Sequence, residues 1–309
     1  MRMLVYRPDG GIVLWADDLQ AALPDWQVIQ WREGETIARC DYAVVWSPAP
    51  AMLADLAETK AVFLMGAGAD AILKFGDAFP QVPIIRVGDA GMGAQMAEYT
   101  THAVLRYYRR FEDYDKQARS GKWGTLPLIP KRDFTVGVLG AGKLGTHVLG
   151  ALAHFGFPLR SWTRTLKDID GVDNFHGSEG LDAFLQGCRV LICMLPLTSE
   201  TANLLDRANL SKLPQGSYVI NVARGGLISE PDLMTLVRSG HIAGATLDVF
   251  RNEPLPGPHP FWDEPRITIT PHISGTTVRS QSIVQIIAKI ARLEHGEPVE
   301  DVVDRSRGY

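Results

Sequence analysis

The sequence predicts an α/β chain of two doubly wound, parallel-sheet domains with a cleft between them. Three observations carry that reading. Short apolar runs alternate with polar, helix-compatible stretches along the chain, as strands buried on both faces by crossover helices require. A glycine-rich turn, Gly140-Ala141-Gly142-Lys143-Leu144-Gly145, separates one such run from a helical stripe near the middle. A length of 309 residues also exceeds what one compact core usually encloses.

The first set of apolar runs is Met3 to Tyr6, Val28 to Trp31, Ala43 to Trp46, Val62 to Met65 and Ile84 to Val87. Met92 to Tyr108 follows with helical spacing through Met96, Tyr99 and Ala103, and is expected to cross from one domain to the other. Gly121 to Pro130 is punctuated by glycine and proline and has no strand or helix period, so it reads as an arm or linker. Its apolar residues suit either a partner subunit, giving a homodimer, or packing on their own chain. The alternation resumes at Val136 to Leu139 and recurs at Leu159 to Trp162, Val190 to Leu195, Tyr218 to Asn221, Ala245 to Val249 and Ile267 to Thr270. Ile283, Ile286, Ile287, Ile290 and Leu293 then repeat a helical spacing, which suggests a helix returning the tail to the first domain. The expected division is 1–95 with 276–309 as a substrate domain, and 96–275 as a nucleotide-binding domain with a dimerisation arm around 110–132.

Composition narrows the function classes. A net charge of −4 without a continuous Lys/Arg stripe argues against nucleic acid as a partner. No apolar run approaches the ~20 residues of a membrane span, and the amino terminus reads as a strand rather than a signal segment. Cys40, Cys188 and Cys193 are too few and too irregular for a disulfide framework, and no His or Cys spacing suggests a metal. A soluble cytoplasmic chain is expected.

The glycine turn has the chemistry of a dinucleotide site. Gly140 permits the tight turn, Gly142 lets the backbone approach a pyrophosphate, and Gly145 lets the following helix pack close to the strand. The amides of the helix start, from Ala141, Lys143 and Leu144 onward, then face the anion. The second strand of such a unit usually ends in an acid that grips the ribose diol. Here Thr163-Arg164-Thr165 stands in its place, and a forked guanidinium beside two hydroxyls suits a 2′-phosphate, so NADP is favoured over NAD. On the alternative reading Arg164 is a solvated turn residue and Asp168 or Asp170 serves the ribose.

Three residues follow strands in the second domain, where a doubly wound sheet presents its ligand site: Arg224, Glu253 and His272. Each alone reads as an ordinary loop residue. Together they supply a forked cation for a 2-oxo acid, an imidazole to protonate the oxygen that becomes hydroxyl, and a carboxylate to hold the ring's orientation and favour its protonated form.

Gly140 to Gly145, Asn221-Val222-Ala223-Arg224-Gly225, Asp248 to Pro256 and Thr270-Pro271-His272-Ile273-Ser274 together resemble the D-2-hydroxyacid dehydrogenase family. Trp46-Ser47-Pro48, Met65 to Asp70, Gly91 to Met96 and the closing Asp304 to Tyr309 are similar to its NADPH-dependent glyoxylate/hydroxypyruvate reductases. The resemblance implies a Rossmann nucleotide domain, a flavodoxin-like substrate domain, and catalytic roles for Arg224, Glu253 and His272. It implies that the amides of Gly66, Ala67 and Gly68 hold the substrate carboxylate and that Trp46 walls the pocket. Leu195, Pro196, Val222 and Ala223 would line the cofactor, Asp248 would face the nicotinamide carboxamide, and Trp123 would reach a neighbouring subunit. The expected function is NADPH-dependent reduction of glyoxylate to glycolate and of hydroxypyruvate to D-glycerate. Two alternatives stand beside it: a broader-specificity D-2-hydroxyacid dehydrogenase, and a non-catalytic dinucleotide sensor of the same fold.

Overall fold

The computed structural model describes residues 1–35 and 37–309. They form two compact units, 1–91 with 277–309 and 92–276. Each holds one sheet, of five and seven strands respectively, and every strand pair within them is parallel.

Unit 1 runs β1 (Arg2–Tyr6), α1 (Ile12–Ala22), β2 (Gln27–Gln30), β3 (Tyr42–Val45), α2 (Leu53–Leu56), β4 (Ala61–Leu64), α3 (Asp70–Leu73) and β5 (Ile84–Ile85), and closes with a C-terminal helix, Arg279–Glu294. The strand order β2-β1-β3-β4-β5 is that of flavodoxin-like sheets. Successive residues of a strand point to opposite faces, so each apolar run feeds two cores. Met3, Val5, Tyr42, Val44 and Phe63 pack with Trp15 and Leu19 of α1 and with Ile283, Ile286 and Ile290 of the C-terminal helix. Leu4, Ala43, Val45, Val62 and Leu64 pack on the other face with Met52, Leu56 and Ile72. The fifth strand is shorter than the Ile84 to Val87 run predicts, since only Ile84 and Ile85 pair with β4, and the C-terminal tail lies along it: Arg86 N–H donates to Asp301 O at 2.9 Å and Val303 N–H to Ile84 O at 2.8 Å.

Unit 2 runs α4 (Met92–Tyr108), α5 (Phe111–Arg119), β6 (Val136–Leu139), α6 (Lys143–Ala153), β7 (Leu159–Thr163), β8 (Val172–His176), α7 (Gly177–Gln186), β9 (Val190–Cys193), α8 (Arg207–Leu210), β10 (Ser217–Asn221), α9 (Glu230–Ser239), β11 (Ile242–Leu247) and β12 (Ile267–Ile269). Its order, β12-β11-β10-β9-β6-β7-β8, is the dinucleotide-binding order with one strand added at the β12 edge. The order in which successive strands are added reverses between the parallel neighbours β6 and β9, and a ligand crevice opens at the carboxyl ends of strands flanking such a switch point.

Two elements are absent from the sequence expectations. β8 is an edge strand whose residues are all at least partly exposed, so Val172-Asp173-Asn174-Phe175-His176 contains no apolar run to read. α5 buries none of its residues, although it occupies the start of the expected arm. Residues 120–130 have no regular structure, and Trp123 and Leu128 on them are 103 % and 83 % exposed.

Candidate active site

The turn between β6 and α6 is shaped by its glycines. Gly140 sits at φ +111°, and a Cβ there would lie 2.8 Å from the backbone of Met194, so only glycine allows the β6 and β9 ends to approach. Gly145 packs its α-carbon against the turn; a Cβ would be 2.2 Å from Gly140 O. Gly142 differs, because a Cβ built on it meets nothing within 4 Å. Its side faces open space at the start of α6, where no side chain caps the helix. A backbone turn with that opening and a helix N-terminus behind it fits a pyrophosphate.

β7 ends beside this turn, with Gly140 N–H donating to Trp162 O at 2.9 Å. Thr163 is buried and its Oγ1 donates to Thr165 O at 2.7 Å, so the hydroxyl stiffens the strand exit. Arg164 and Thr165 are exposed there. Lys167, which the sequence reading passed over, reaches back to donate from Nζ to Ala141 O at 2.8 Å. It places a second cation at the exit that carries Arg164; the legible signal was a lysine three residues past Arg164. Of the residues expected to line a cofactor, Leu195, Val222 and Ala223 are buried, and Pro196 O accepts from Thr201 Oγ1 at 2.7 Å.

At the end of β10, Asn221 clamps the next turn: Oδ1 accepts from Ala223 N–H at 3.1 Å and Nδ2 donates to Arg224 O at 2.9 Å. The Arg224 guanidinium donates from Nη1 to Ala223 O at 2.7 Å. Gly225 then abuts the segment after β11, since a Cβ on it would lie 1.9 Å from the carbonyl carbon of Phe250. Phe250 N–H in turn donates to Glu253 Oε1 at 2.9 Å, and Glu253 Oε2 lies 2.7 Å from His272 Nδ1. A chain of close contacts therefore links the Arg224 turn to the Glu253 loop and the loop to His272. An ionised carboxylate only accepts, so Nδ1 carries the hydrogen of that bond and Nε2 is the nitrogen left to meet a reactant. His272 and Glu253 remain 42 % and 36 % exposed, which leaves the pair accessible.

Asp248, at the end of β11, is fully buried. Oδ1 accepts from Thr270 Oγ1 at 2.6 Å and from Ile273 N–H at 2.8 Å, and Oδ2 accepts from Ser274 N–H at 2.8 Å. A carboxylate offers about four acceptor sites, and these three bonds to the protein's own groups hold the buried Asp248 in place.

In unit 1, Trp46 lies just past β3 and its ring packs on the turn after β4: a Cβ on Gly66 would be 2.7 Å from that ring. Arg86 donates from Nη1 to Ala67 O at 3.5 Å, while its Nε is buried without a partner among the described residues. A carbonyl and the next amide point in opposite directions across a trans peptide, so an Arg86 hold on Ala67 O turns the Gly68 N–H the other way.

Residues 101–274 match the model of the D-isomer specific 2-hydroxyacid dehydrogenase NAD binding domain. Glyoxylate/hydroxypyruvate reductase A of Yersinia enterocolitica is 45 % identical over 314 residues, covering all of both chains. The chain belongs to the D-isomer-specific 2-hydroxyacid dehydrogenase family. Among solved structures of this family, a dehydrogenase of Xanthobacter autotrophicus Py2 in complex with NADPH and MES superimposes with a TM-score of 0.94 at 39 % identity, covering 100 % of this chain and 99 % of that one. The NADPH-dependent glyoxylate/hydroxypyruvate reductase of Sinorhizobium meliloti, in complex with NADP and sulfate, follows at 0.92 and 33 % identity, with coverage of 100 % and 99 %. No helix among the described residues of this dehydrogenase is long and apolar enough to cross a membrane.

Proposed function

We propose that the chain reduces small 2-oxo acids with NADPH, glyoxylate to glycolate and hydroxypyruvate to D-glycerate. It is an NADP-dependent 2-hydroxyacid dehydrogenase. The observation that carries the reaction is the 2.7 Å Glu253–His272 pair, held at strand ends of the sheet that bears the dinucleotide turn. The 45 % identity to a glyoxylate/hydroxypyruvate reductase supports the substrate class, and relatives bound to NADPH and NADP support the cofactor.

The open side of Gly142 and the α6 N-terminus would take the pyrophosphate, with Gly140, Ala141, Lys143, Leu144 and Gly145 forming the turn. Arg164, Lys167, Thr163 and Thr165 would take the 2′-phosphate. Leu195, Pro196, Val222 and Ala223 would line the cofactor, and Asp248 would face the nicotinamide carboxamide. The bound nicotinamide supplies the hydride, and the protein supplies position and charge. Arg224 holds the carboxylate and carbonyl oxygen of the 2-oxo acid with its forked donors. His272 delivers the proton to the oxygen that becomes hydroxyl, and Glu253 fixes the ring so that Nε2 faces it. From unit 1 the same reading assigns Trp46 and the Gly66-Ala67-Gly68 turn to substrate binding. The exposure of Trp123 and Leu128 supports reading residues 120–130 as a homodimer contact.

The test follows loss of reduced-nicotinamide absorbance against a panel of 2-oxo acids of graded size, with NADH in parallel. Fast consumption of NADPH with glyoxylate and hydroxypyruvate is expected. Absence of turnover with either acid, or preference for NADH, would overturn the reading.

A further inference from the structure

His272 is the one residue of the Glu253 pair whose backbone is in the left-handed region, at φ +55°. A side chain other than glycine persists there only when its surroundings over-determine the conformation. Its N–H is shared with Thr270 O at 3.1 Å, and most of the other bonds that hold this turn go to Asp248. His272 N–H donates to Asp248 O at 2.9 Å, and the next two amides, of Ile273 and Ser274, donate to the Asp248 carboxylate at 2.8 Å each. Asp248 thus grips the turn on both sides of the imidazole.

Two hydroxyls in series lead to Asp248. Thr270 Oγ1 donates to Oδ1 at 2.6 Å, and Tyr99 Oη lies 2.5 Å from the same Thr270 oxygen. A threonine hydroxyl has one hydrogen, and this one is committed to the carboxylate, so Tyr99 donates to Thr270. We infer that Tyr99 and Thr270 are positioning residues of the active site, holding Asp248 so that it fixes the 272–274 turn that presents His272. Tyr99 is well suited to this, because burial pushes its phenol up to about 12 and it keeps its proton throughout the working range of a dehydrogenase. It belongs to α4, near the other end of unit 2 in sequence, so the relay ties the catalytic turn to the helix that packs beside the nucleotide sheet. Neither hydroxyl needs to touch a reactant.

The structural half of this inference stands on the protein alone; the kinetic half rests on the proposed role of His272. The variants are Thr270→Val, which keeps the shape and loses the hydroxyl, Thr270→Ser, which restores the hydroxyl, and Tyr99→Phe. Hydrogen exchange at the Ile273 and Ser274 amides is measured first, without cofactor. Exchange should quicken about tenfold in Thr270→Val and return to the wild-type rate in Thr270→Ser. Steady-state reduction of glyoxylate with NADPH should then show a roughly ten- to hundredfold fall in kcat for Thr270→Val and about three- to tenfold for Tyr99→Phe. KM for glyoxylate and Kd for NADPH should stay within about twofold, the split expected when the loss falls on the transition state. Unchanged exchange at both amides would overturn the relay, as would a Thr270→Ser chain as impaired as Thr270→Val. If Thr270→Val does not fold, Tyr99→Phe carries the same exchange readout. A wild-type chain that turns over no 2-oxo acid would sink the proposed function while the exchange data still decide the relay.

Discussion

Alanine substitutions at Gly142 and Gly145 separate binding from folding within one turn. At Gly145 the added methyl would sit 2.2 Å from Gly140 O and 3.1 Å from its carbonyl carbon, far inside the ~3.5 Å at which carbon atoms rest. Helix α6 must recoil from the turn, and overpacking of this kind costs about 1–3 kcal/mol. At Gly142 the methyl meets no protein atom within 4 Å, and the backbone, φ −74° and ψ −163°, is open to alanine. Alanine narrows the unfolded ensemble, a gain of about 0.4–1 kcal/mol, and loses up to roughly 1 kcal/mol as a helix N-cap, so the two effects nearly cancel. Gly142→Ala should therefore unfold within about 4 °C of the wild type. Its NADPH affinity should nevertheless fall, because the methyl occupies the space through which the amides reach the pyrophosphate. Losing one charge-assisted hydrogen bond weakens Kd about ten- to hundredfold. Differential scanning calorimetry gives the stability, and titration of tryptophan fluorescence with NADPH gives Kd. Gly142→Ala with wild-type Kd would refute the placement of the pyrophosphate. Gly145→Ala with wild-type Tm would refute the packing argument.

Other outcomes follow from the same geometry. Arg164→Ala and Lys167→Ala should each raise Kd for NADPH about tenfold while leaving NADH nearly unchanged, and the double variant should lose most of the preference; an unaltered NADPH/NADH ratio in the double variant would reject the phosphate assignment. Glu264 is buried and paired with Arg266 through two bonds, at 2.7 and 3.0 Å, which hold its carboxyl below the usual carboxylate range. A depressed folded-state value contributes stability above the ordinary carboxylate pKa of about 4.3 and loses it as pH falls through the folded value. Glu264→Gln should thus be less stable by about 1 kcal/mol at neutral pH, with Arg266 partly exposed and screened, and the gap should close in acid; a gap that widens in acid would contradict this. Cys40, Cys188 and Cys193 are all buried, and burial pushes the Cys188 and Cys193 thiols up to about 12. A maleimide should label none of them in the folded chain at neutral pH and all of them in denaturant; rapid labelling of the native protein would show that one is accessible.

The elements that were legible in the sequence are those whose burial leaves a local mark. β3, β4, β6 and β9 are covered on both faces, and each is an unbroken apolar run of four residues. The β6 turn was legible because its steric demands fall on three glycines within six positions. β8 and α5 left no such mark, since one lies on an edge and the other buries nothing. The end of β5 is not legible because it is set by how far β4 pairs with it, only Ile84 and Ile85, which an apolar run to Val87 does not reveal. Glu253 and His272 read as a pair because both follow strands of the second domain and a carboxylate can orient an imidazole, and they lie in direct hydrogen bond. The support beneath them was not readable. Tyr99 meets Thr270 across 171 positions, and a hydroxyl that stabilises a distant carboxylate has no period or spacing to betray it.

The proposed reaction depends on His272 as the proton donor. The most direct measurement compares His272→Ala with the wild type, for Kd of NADPH and for kcat with glyoxylate. NADPH binding at wild-type affinity with kcat reduced about a hundred- to ten-thousandfold is the predicted result. Turnover close to that of the wild type would contradict it and move the acid to another group.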